Sequence, residues 1–215
     1  MSNEAQTIDR KTPWLTAERL GALTDGMVAI IITLLVLEIE VPTDHDFAEE
    51  GVWAFLLKLE HEVWIYLISF CLIGTYWLLH HVLFHYIARV NRTFIAWNCL
   101  FLFLLSLSPF TTELAGEYRD MPIMRSIFGI NYMLSGVVFY VLWWYSARNS
   151  NLLRHPIDNE VRRSMDIRLM VAPALSLVGI LVSMINLRFG ALFFVSIPLF
   201  YLRHYIVDTG WRAGK

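Results

Sequence analysis

Several polar and ionisable side chains lie inside long apolar runs of the sequence, where placing them costs the most free energy. Asp25 follows Thr24 in the first run, His80 and His81 end the second, and Asn98 lies in the third. A carboxylate and imidazoles at that depth can relay protons, or they can join helices through hydrogen bonds. For His80 or His81, we expect a packing bond to Asp25, Thr24 or Asn98.

Two further histidines extend this set towards metal chemistry. His85 follows His81 by four residues, so the two rings lie on one helical face and could share a metal ion. Alternatively, His81 or His85 could be one axial ligand of a haem, with His204 as the other. No carboxylate or cysteine is spaced to complete a metal site on the same helix. The sequence also has no glycine-rich phosphate loop, no Gly-x-Ser-x-Gly and no Cys-x-x-Cys. We therefore predict no enzyme activity and no cofactor.

The composition identifies the environment that must hold these residues. Of the 215 residues, 57% are hydrophobic and only 17% are charged, whereas a soluble fold keeps about a quarter of its residues charged. The chain is predicted to be an all-α integral membrane protein. Its net charge of -2 gives no basic field for nucleic acid.

Six apolar windows are long enough to cross a bilayer. They cover residues 20–41, 63–87, 93–114, 127–147, 169–187 and 189–207. We predict a cytoplasmic segment at 1–18, one six-helix transmembrane domain at 19–207 and a cytoplasmic tail at 208–215. A short interfacial helix is expected at 52–62. A polar loop that a short amphipathic helix can interrupt is expected at 148–168.

The basic residues predict the orientation of these windows. One side of the six-span arrangement carries Lys58, Arg119, Arg125 and Arg188. The other side carries the remaining basic residues: Arg10, Lys11, Arg19, Arg89, Arg92, Arg148, Arg154, Arg162, Arg163, Arg168, Arg203, Arg212 and Lys215. Both termini are therefore expected in the cytoplasm, and we expect the plasma membrane as the location.

The first window has one apolar face interrupted by a hydroxyl, formed by Leu23, Ile30, Thr33, Leu34, Leu37 and Val41. Asp25 lies about 140° around the helix from Ile30, so the two side chains cannot face one axis. The face is consistent with ordinary helix packing, with lipid contact, or with a water-filled path gated by hydrophobic residues.

The same window resembles the signature helix of the transmembrane protein 175 family of potassium channels. The resemblance is carried by Arg19-Leu20-Gly21-Ala22-Leu23-Thr24-Asp25-Gly26, by Ala29-Ile30 and by residues 33–39, and it continues at 77–81, Arg89, Asn98 and Ser108-Pro109-Phe110. The family pattern is Arg, three residues, then Phe-Ser-Asp. Here Leu23 replaces Phe and Thr24 replaces Ser.

The resemblance implies a homotetramer of six-helix subunits in which the first helix lines a central pore. It implies an apolar constriction at Ile30, with further rings at Leu34 and Leu37, and a hydroxyl layer at Thr33 linked to potassium preference. It also implies a structural network around the pore helix, formed by Arg19, Thr24, Asp25, His80, His81 and Asn98.

We therefore expect a K⁺-permeable channel with modest preference for K⁺ over Na⁺ and without a carbonyl filter. Glu38 and Glu40 near the outer mouth either concentrate cations or form an ordinary solvated helix end. One alternative is a proton channel or proton-coupled transporter that uses Asp25 and the histidines. The others are a membrane redox enzyme with haem held by His81 or His85 and a partner such as His204, and a non-conducting scaffold.

Overall fold

The computed structural model describes residues 15–39, 51–118 and 120–213, and these residues are almost entirely helical. The helices are α1 (Ala17–Leu35), α2 (Gly51–Tyr86), α3 (Arg92–Ser106), α4 (Ser108–Glu117), α5 (Pro122–Arg148), α6 (Asn159–Ser183) and α7 (Leu187–Ala213). Short 3-10 turns follow α1 at Val36–Glu38 and α5 at Ser150–Leu152. Within the described ranges, the β pairing is limited to one bridge between Ile87 and Leu153. The prediction of an all-α protein is confirmed.

Five helical stretches are long and apolar enough to cross a membrane, and they make this a multi-pass membrane protein. They are Ala17–Glu38, Glu62–Tyr86, Arg92–Glu117, Pro122–Arg148 and Asn159–Ser183. The sixth predicted window falls in α7, where the apolar stretch Phe189–Arg203 is shorter. Within the described residues, each predicted window thus falls largely on helix, and six crossings remain a proposal.

Local sequence signals explain where several helices begin. Thr16 caps α1 by accepting a hydrogen bond from the N–H of Arg19 at 3.3 Å, and Asn91 caps α3 by accepting one from Phe94 at 2.9 Å. α5 begins at Pro122, whose missing N–H costs nothing in the first turn. The third predicted window is interrupted at Leu107, just before Pro109, so it is formed by α3 and α4.

The core lies around α5, which packs against α3, α4 and α6. Its largest fully buried side chains include Trp143, Tyr132 and Phe139. The indole N–H of Trp143 donates to the carboxylate of Asp166 on α6 at 2.9 Å. The hydroxyl of Tyr76 on α2 donates to the carbonyl of Tyr132 at 2.7 Å. Buried aromatic rings thus bring their polar atoms to partners on neighbouring helices.

The segment 148–168, predicted as a polar loop that a short amphipathic helix can interrupt, is helical from Asn159 onwards, and this helix is the first part of the long α6. Charged residues on this first part of α6 masked the helix in the apolar pattern, and the Trp143–Asp166 bond fixes it against α5. The predicted interfacial helix at 52–62 is likewise the first part of one helix, since α2 runs unbroken from Gly51 to Tyr86.

The subunit has two ends of different chemistry. The acidic end, where α1 finishes, brings together Glu38, Glu62, Glu113 and Glu117. The basic end, where α2 finishes, brings together His85, Arg154 and His155. Glu40, most of the predicted segment 1–18 and the last two residues of the predicted tail lie outside the described residues.

Candidate functional site

Helix α1 has one face packed into the subunit and one face left open. Leu20, Thr24, Val28, Ile31 and Leu35 are all buried against the other helices. They recur at spacings of three and four, which places them on one side of the helix. α1 therefore contributes less than half of its surface to the core and presents the rest to the outside of the subunit.

The open face contains the predicted apolar stripe as far as Leu37, and Val41 lies outside the described residues. Leu23 is 50% exposed, Ile30 60%, Leu34 42% and Leu37 73%. Thr33 lies beside them, and its hydroxyl donates to the carbonyl of Ile30 at 2.8 Å. That bond uses the hydroxyl proton, so the exposed Thr33 oxygen is left as an acceptor.

Small residues form the flank of the open face next to the stripe. Ala22, Gly26 and Ala29 are exposed, and a side chain added at Gly26 would meet nothing within 4 Å. Spacings of three and four place them on one line along α1. Such a line allows another helix to approach closely.

A buried polar network joins α1 to α2 and α3. His80 Nε2 lies 2.9 Å from Asn98 Oδ1 and 3.3 Å from Thr24 Oγ1, and Asn98 Nδ2 donates to Thr24 Oγ1 at 3.4 Å. All three side chains are almost fully buried. The His80 ring also stacks on Phe84, with ring centroids 4.1 Å apart.

The network fixes the proton positions of its members. The Thr24 hydroxyl donates to the carbonyl of Leu20 at 3.1 Å, so its oxygen acts as an acceptor towards His80 and Asn98. Asn98 Oδ1 is also an acceptor, and His80 must therefore carry a proton on Nε2. With donors matched to acceptors, this arrangement serves as a helix joint that holds α1 in place.

Asp25 is held by a separate bond on the exposed side of the joint. The indole N–H of Trp77 on α2 donates to Asp25 Oδ1 at 2.9 Å. Trp77 was missed as a site residue by the sequence reasoning. The sequence contained a signal for this contact. Trp77 precedes His80 by three residues and so lies on the same face of α2, and its partner Asp25 directly follows Thr24, the partner of His80, on α1.

Two predicted members stand apart from the network. Arg19 is exposed, and within the described ranges no hydrogen bond or ion pair joins its guanidinium to Thr24, Asp25, His80 or Asn98. His81 is exposed and lies beside the Trp77 ring at a centroid distance of 6.1 Å. The structure thus brings together three of the six predicted residues, Thr24, His80 and Asn98, while Asp25 bonds to Trp77 between the same two helices, α1 and α2.

The predicted metal or haem pair does not form a ligand cluster in the described part of the chain. No group of three or more His, Cys, Asp or Glu side chains there is arranged to hold a metal ion. His85 instead lines a cavity at the basic end. The side chain of His204 lies outside the described residues.

Glu38 belongs to a cavity of about 280 Å³ at the acidic end. Three more carboxylates from two other helices line it, namely Glu62 of α2 and Glu113 and Glu117 of α4. Glu38 lies next to Leu37 on the turn that extends α1, so the cavity borders the end of the open face. The sequence reasoning missed Glu62, Glu113 and Glu117, because they are far apart along the chain.

Comparisons with known proteins agree with this architecture. The family model of the endosomal/lysosomal potassium channel TMEM175 matches residues 19–109. The potassium channel Cha6605_3372 of Chamaesiphon minutus is 34% identical, with 83% of this chain and 91% of the relative covered. A potassium channel of Streptomyces collinus is 32% identical, with 70% of this chain and 74% of that relative covered.

An animal relative and a solved structure also match the chain. The mouse protein described as the endosomal/lysosomal proton channel TMEM175 is 22% identical over 93% of this chain, which spans 40% of that relative. The crystal structure of a lysosomal potassium-selective channel TMEM175 homolog from Chamaesiphon minutus superposes with a TM-score of 0.78 at 29% identity. It covers 87% of this chain and 97% of the other. The chain belongs to the TMEM175 channel family.

Proposed function

We propose that this protein is a K⁺-permeable channel of the plasma membrane, with both termini in the cytoplasm and four six-helix subunits around one pore. The open face of α1 carries the proposal. This face combines the branched apolar side chains of the stripe with the exposed hydroxyl of Thr33. Four such faces around one axis line a water-filled path that narrows at apolar side chains. The potassium channels among the bacterial relatives support the same function.

In this arrangement, the Ile30 side chains of four subunits form the constriction, and Leu34 and Leu37 form further rings. The small flank with Gly26 packs against the neighbouring subunit and allows the pore helices to approach. An ion at the Ile30 ring passes side chains without coordinating oxygens, which favours K⁺ because Na⁺ holds its hydration shell more tightly. Selectivity is therefore modest.

Thr33 lies one turn beyond Ile30, towards the acidic end. The four Thr33 hydroxyl oxygens can replace water ligands of a partly dehydrated K⁺ ion. Glu38 of the acidic cavity and Glu40, outside the described residues, raise the local cation concentration at the outer mouth. The mouth and the constriction thus have separate roles. Negative charge at the mouth attracts cations, and the apolar ring at the constriction selects between them by the cost of removing their water.

The proposal is tested by K⁺ and Na⁺ flux into liposomes that contain the purified protein, with the Ile30→Asn variant compared with wild type. We expect K⁺ flux to exceed Na⁺ flux in wild type. The substitution replaces an apolar ring with an amide ring and removes a desolvation barrier, so we expect an increase in K⁺ flux of about tenfold.

The matched control is Ile130→Asn. Ile130 lies on α5, has the same side chain and is 41% exposed on the subunit surface. This variant should conduct like wild type. Equal flux in Ile30→Asn and wild type would place the constriction elsewhere, and absence of K⁺ flux from every protein would refute the channel.

Proton conduction is the second candidate function. The names of the mouse and human relatives as proton channels favour it, and so does the exposed position of Asp25. The same liposomes under a pH gradient test it. Proton flux that disappears in Asp25→Asn, without K⁺ flux in wild type, would favour a proton pathway over a potassium channel.

A further inference from the structure

A cavity of about 380 Å³ at the basic end lies where α2 meets the connection between α5 and α6. His85 and Tyr86 from the last turn of α2 line one side. Arg154, His155 and Pro156 from the connection line the other. None of these residues belongs to the open face of α1 or to the acidic cavity.

Backbone pairing builds this cavity from two distant segments. The N–H of Ala88 donates to the carbonyl of Leu152 at 2.7 Å, and the N–H of Arg154 donates to the carbonyl of Tyr86 at 2.9 Å. The Arg154 side chain adds a third bond, from Nε to the carbonyl of Ile87 at 3.1 Å. Nε is used in the clamp, and the two terminal nitrogens of the guanidinium remain as donors on a side chain that lines the cavity.

The lining is rich in donors for an anion. Arg154 supplies a permanent positive charge, and the imidazoles of His85 and His155 supply N–H donors. Among the described residues, the nearby carboxylates Asp158 and Glu160 are exposed and do not line the cavity. A guanidinium and imidazole N–H donors around one space suit a phosphate oxyanion.

The cavity lies at the level of the membrane surface. His85 lies in the last turn of the apolar stretch Glu62–Tyr86, so the cavity lies at the boundary between hydrocarbon and water. The excess of arginines on this side predicts the cytoplasmic leaflet, where anionic phospholipids are enriched. We propose that His85, Arg154 and His155 form a binding site for a phosphate-bearing anion, such as a phospholipid headgroup at this boundary.

The experiment measures the thermal stabilisation of the purified full chain in detergent micelles. Phosphatidylglycerol, phosphatidylcholine and inorganic phosphate are titrated separately. We expect saturable stabilisation by phosphatidylglycerol and not by zwitterionic phosphatidylcholine. Stabilisation by inorganic phosphate to the same extent would assign the site to soluble phosphate, and its absence would assign the site to the lipid. No stabilisation by any probe would overturn the proposal.

Variants connect the effect to the cavity. His85→Gln with His155→Gln keeps the backbone clamp and neutral hydrogen bonding but removes both imidazoles. Arg154→Lys keeps the charge but loses the guanidinium fork. Each change should raise the ligand concentration needed for half-maximal stabilisation by about tenfold. Arg163→Gln removes an exposed arginine of α6 outside the cavity and should bind like wild type. Equal weakening in Arg163→Gln would show non-specific charge attraction and refute the site.

Discussion

At the scale of single residues, the joint between α1 and the rest of the subunit depends on matched donors and acceptors. Asn98 is central to it, because its carbonyl oxygen accepts from His80 and its amide donates to Thr24. A buried polar group without a partner costs about 1–3 kcal/mol. The joint is therefore stable only while every member keeps its partner.

We predict that Asn98→Leu destabilises the subunit by about 1–3 kcal/mol, because it leaves His80 Nε2 without its shorter bond in a buried site. The measurement is thermal unfolding of the detergent-solubilised protein. Cys99→Leu is the control, since the next residue on α3 is exposed and bears no such bond. A melting temperature for Asn98→Leu equal to that of the control would show that the joint contributes no net stability.

At the scale of helices, close backbone approach determines how α6 and α7 pack. The connection between them is short, and Asn186 closes it by accepting a hydrogen bond from the N–H of Phe189 at 3.3 Å. Gly190, in the first turn of α7, faces the last residue of α6. A Cβ at Gly190 would lie 2.6 Å from Ser183 Cα and 2.7 Å from Ser183 N. These are backbone atoms, which cannot rotate away.

Gly190→Ala should therefore push α7 away from α6 and cost about 1–3 kcal/mol of stability. The variant is compared with wild type by thermal unfolding and by limited proteolysis of the connection between the two helices. Gly74→Ala on α2 is the matched control, because an added Cβ there meets nothing within 4 Å. Wild-type stability in Gly190→Ala would mean that the two helices separate at no cost.

At the scale of the whole molecule, charge is divided between the two ends. The acidic end holds four carboxylates around one cavity, and the basic end holds the cavity with Arg154. In the proposed tetramer, the acidic cavities of four subunits surround the outer mouth. Their combined field is long-ranged at low ionic strength and is screened by salt.

We predict that Glu113→Gln with Glu117→Gln reduces inward K⁺ flux at about 10 mM salt and leaves it unchanged near 1 M, where the Debye length falls from roughly 30 Å to 3 Å. The measurement is flux or single-channel conductance across a salt series. Glu160→Gln, an exposed carboxylate on α6 at the basic end, should leave inward flux unaltered at both salt concentrations. A reduction that persists at 1 M would indicate a structural effect and not an electrostatic one.

The amino-acid sequence by itself determined the features that depend on local physics. Apolar windows of about 20 residues predicted helices in a membrane, because an unpaired backbone polar group is too costly in hydrocarbon. The spacing of Leu23, Ile30, Leu34 and Leu37 predicted one face of α1. Thr24, His80 and Asn98 lie in apolar windows, where each polar side chain needs a hydrogen-bond partner, and this need predicted contacts among them.

Only the tertiary structure decided which of these residues meet. It separated His81 and Arg19 from the joint, and it showed Trp77 as the donor to Asp25. It also collected Glu38, Glu62 and Glu113 into one cavity and clamped Arg154 against α2. These contacts join residues that are distant in sequence, so they depend on helix rotation and depth. Packing of side chains between helices sets both, and a periodic pattern along one helix does not contain that information.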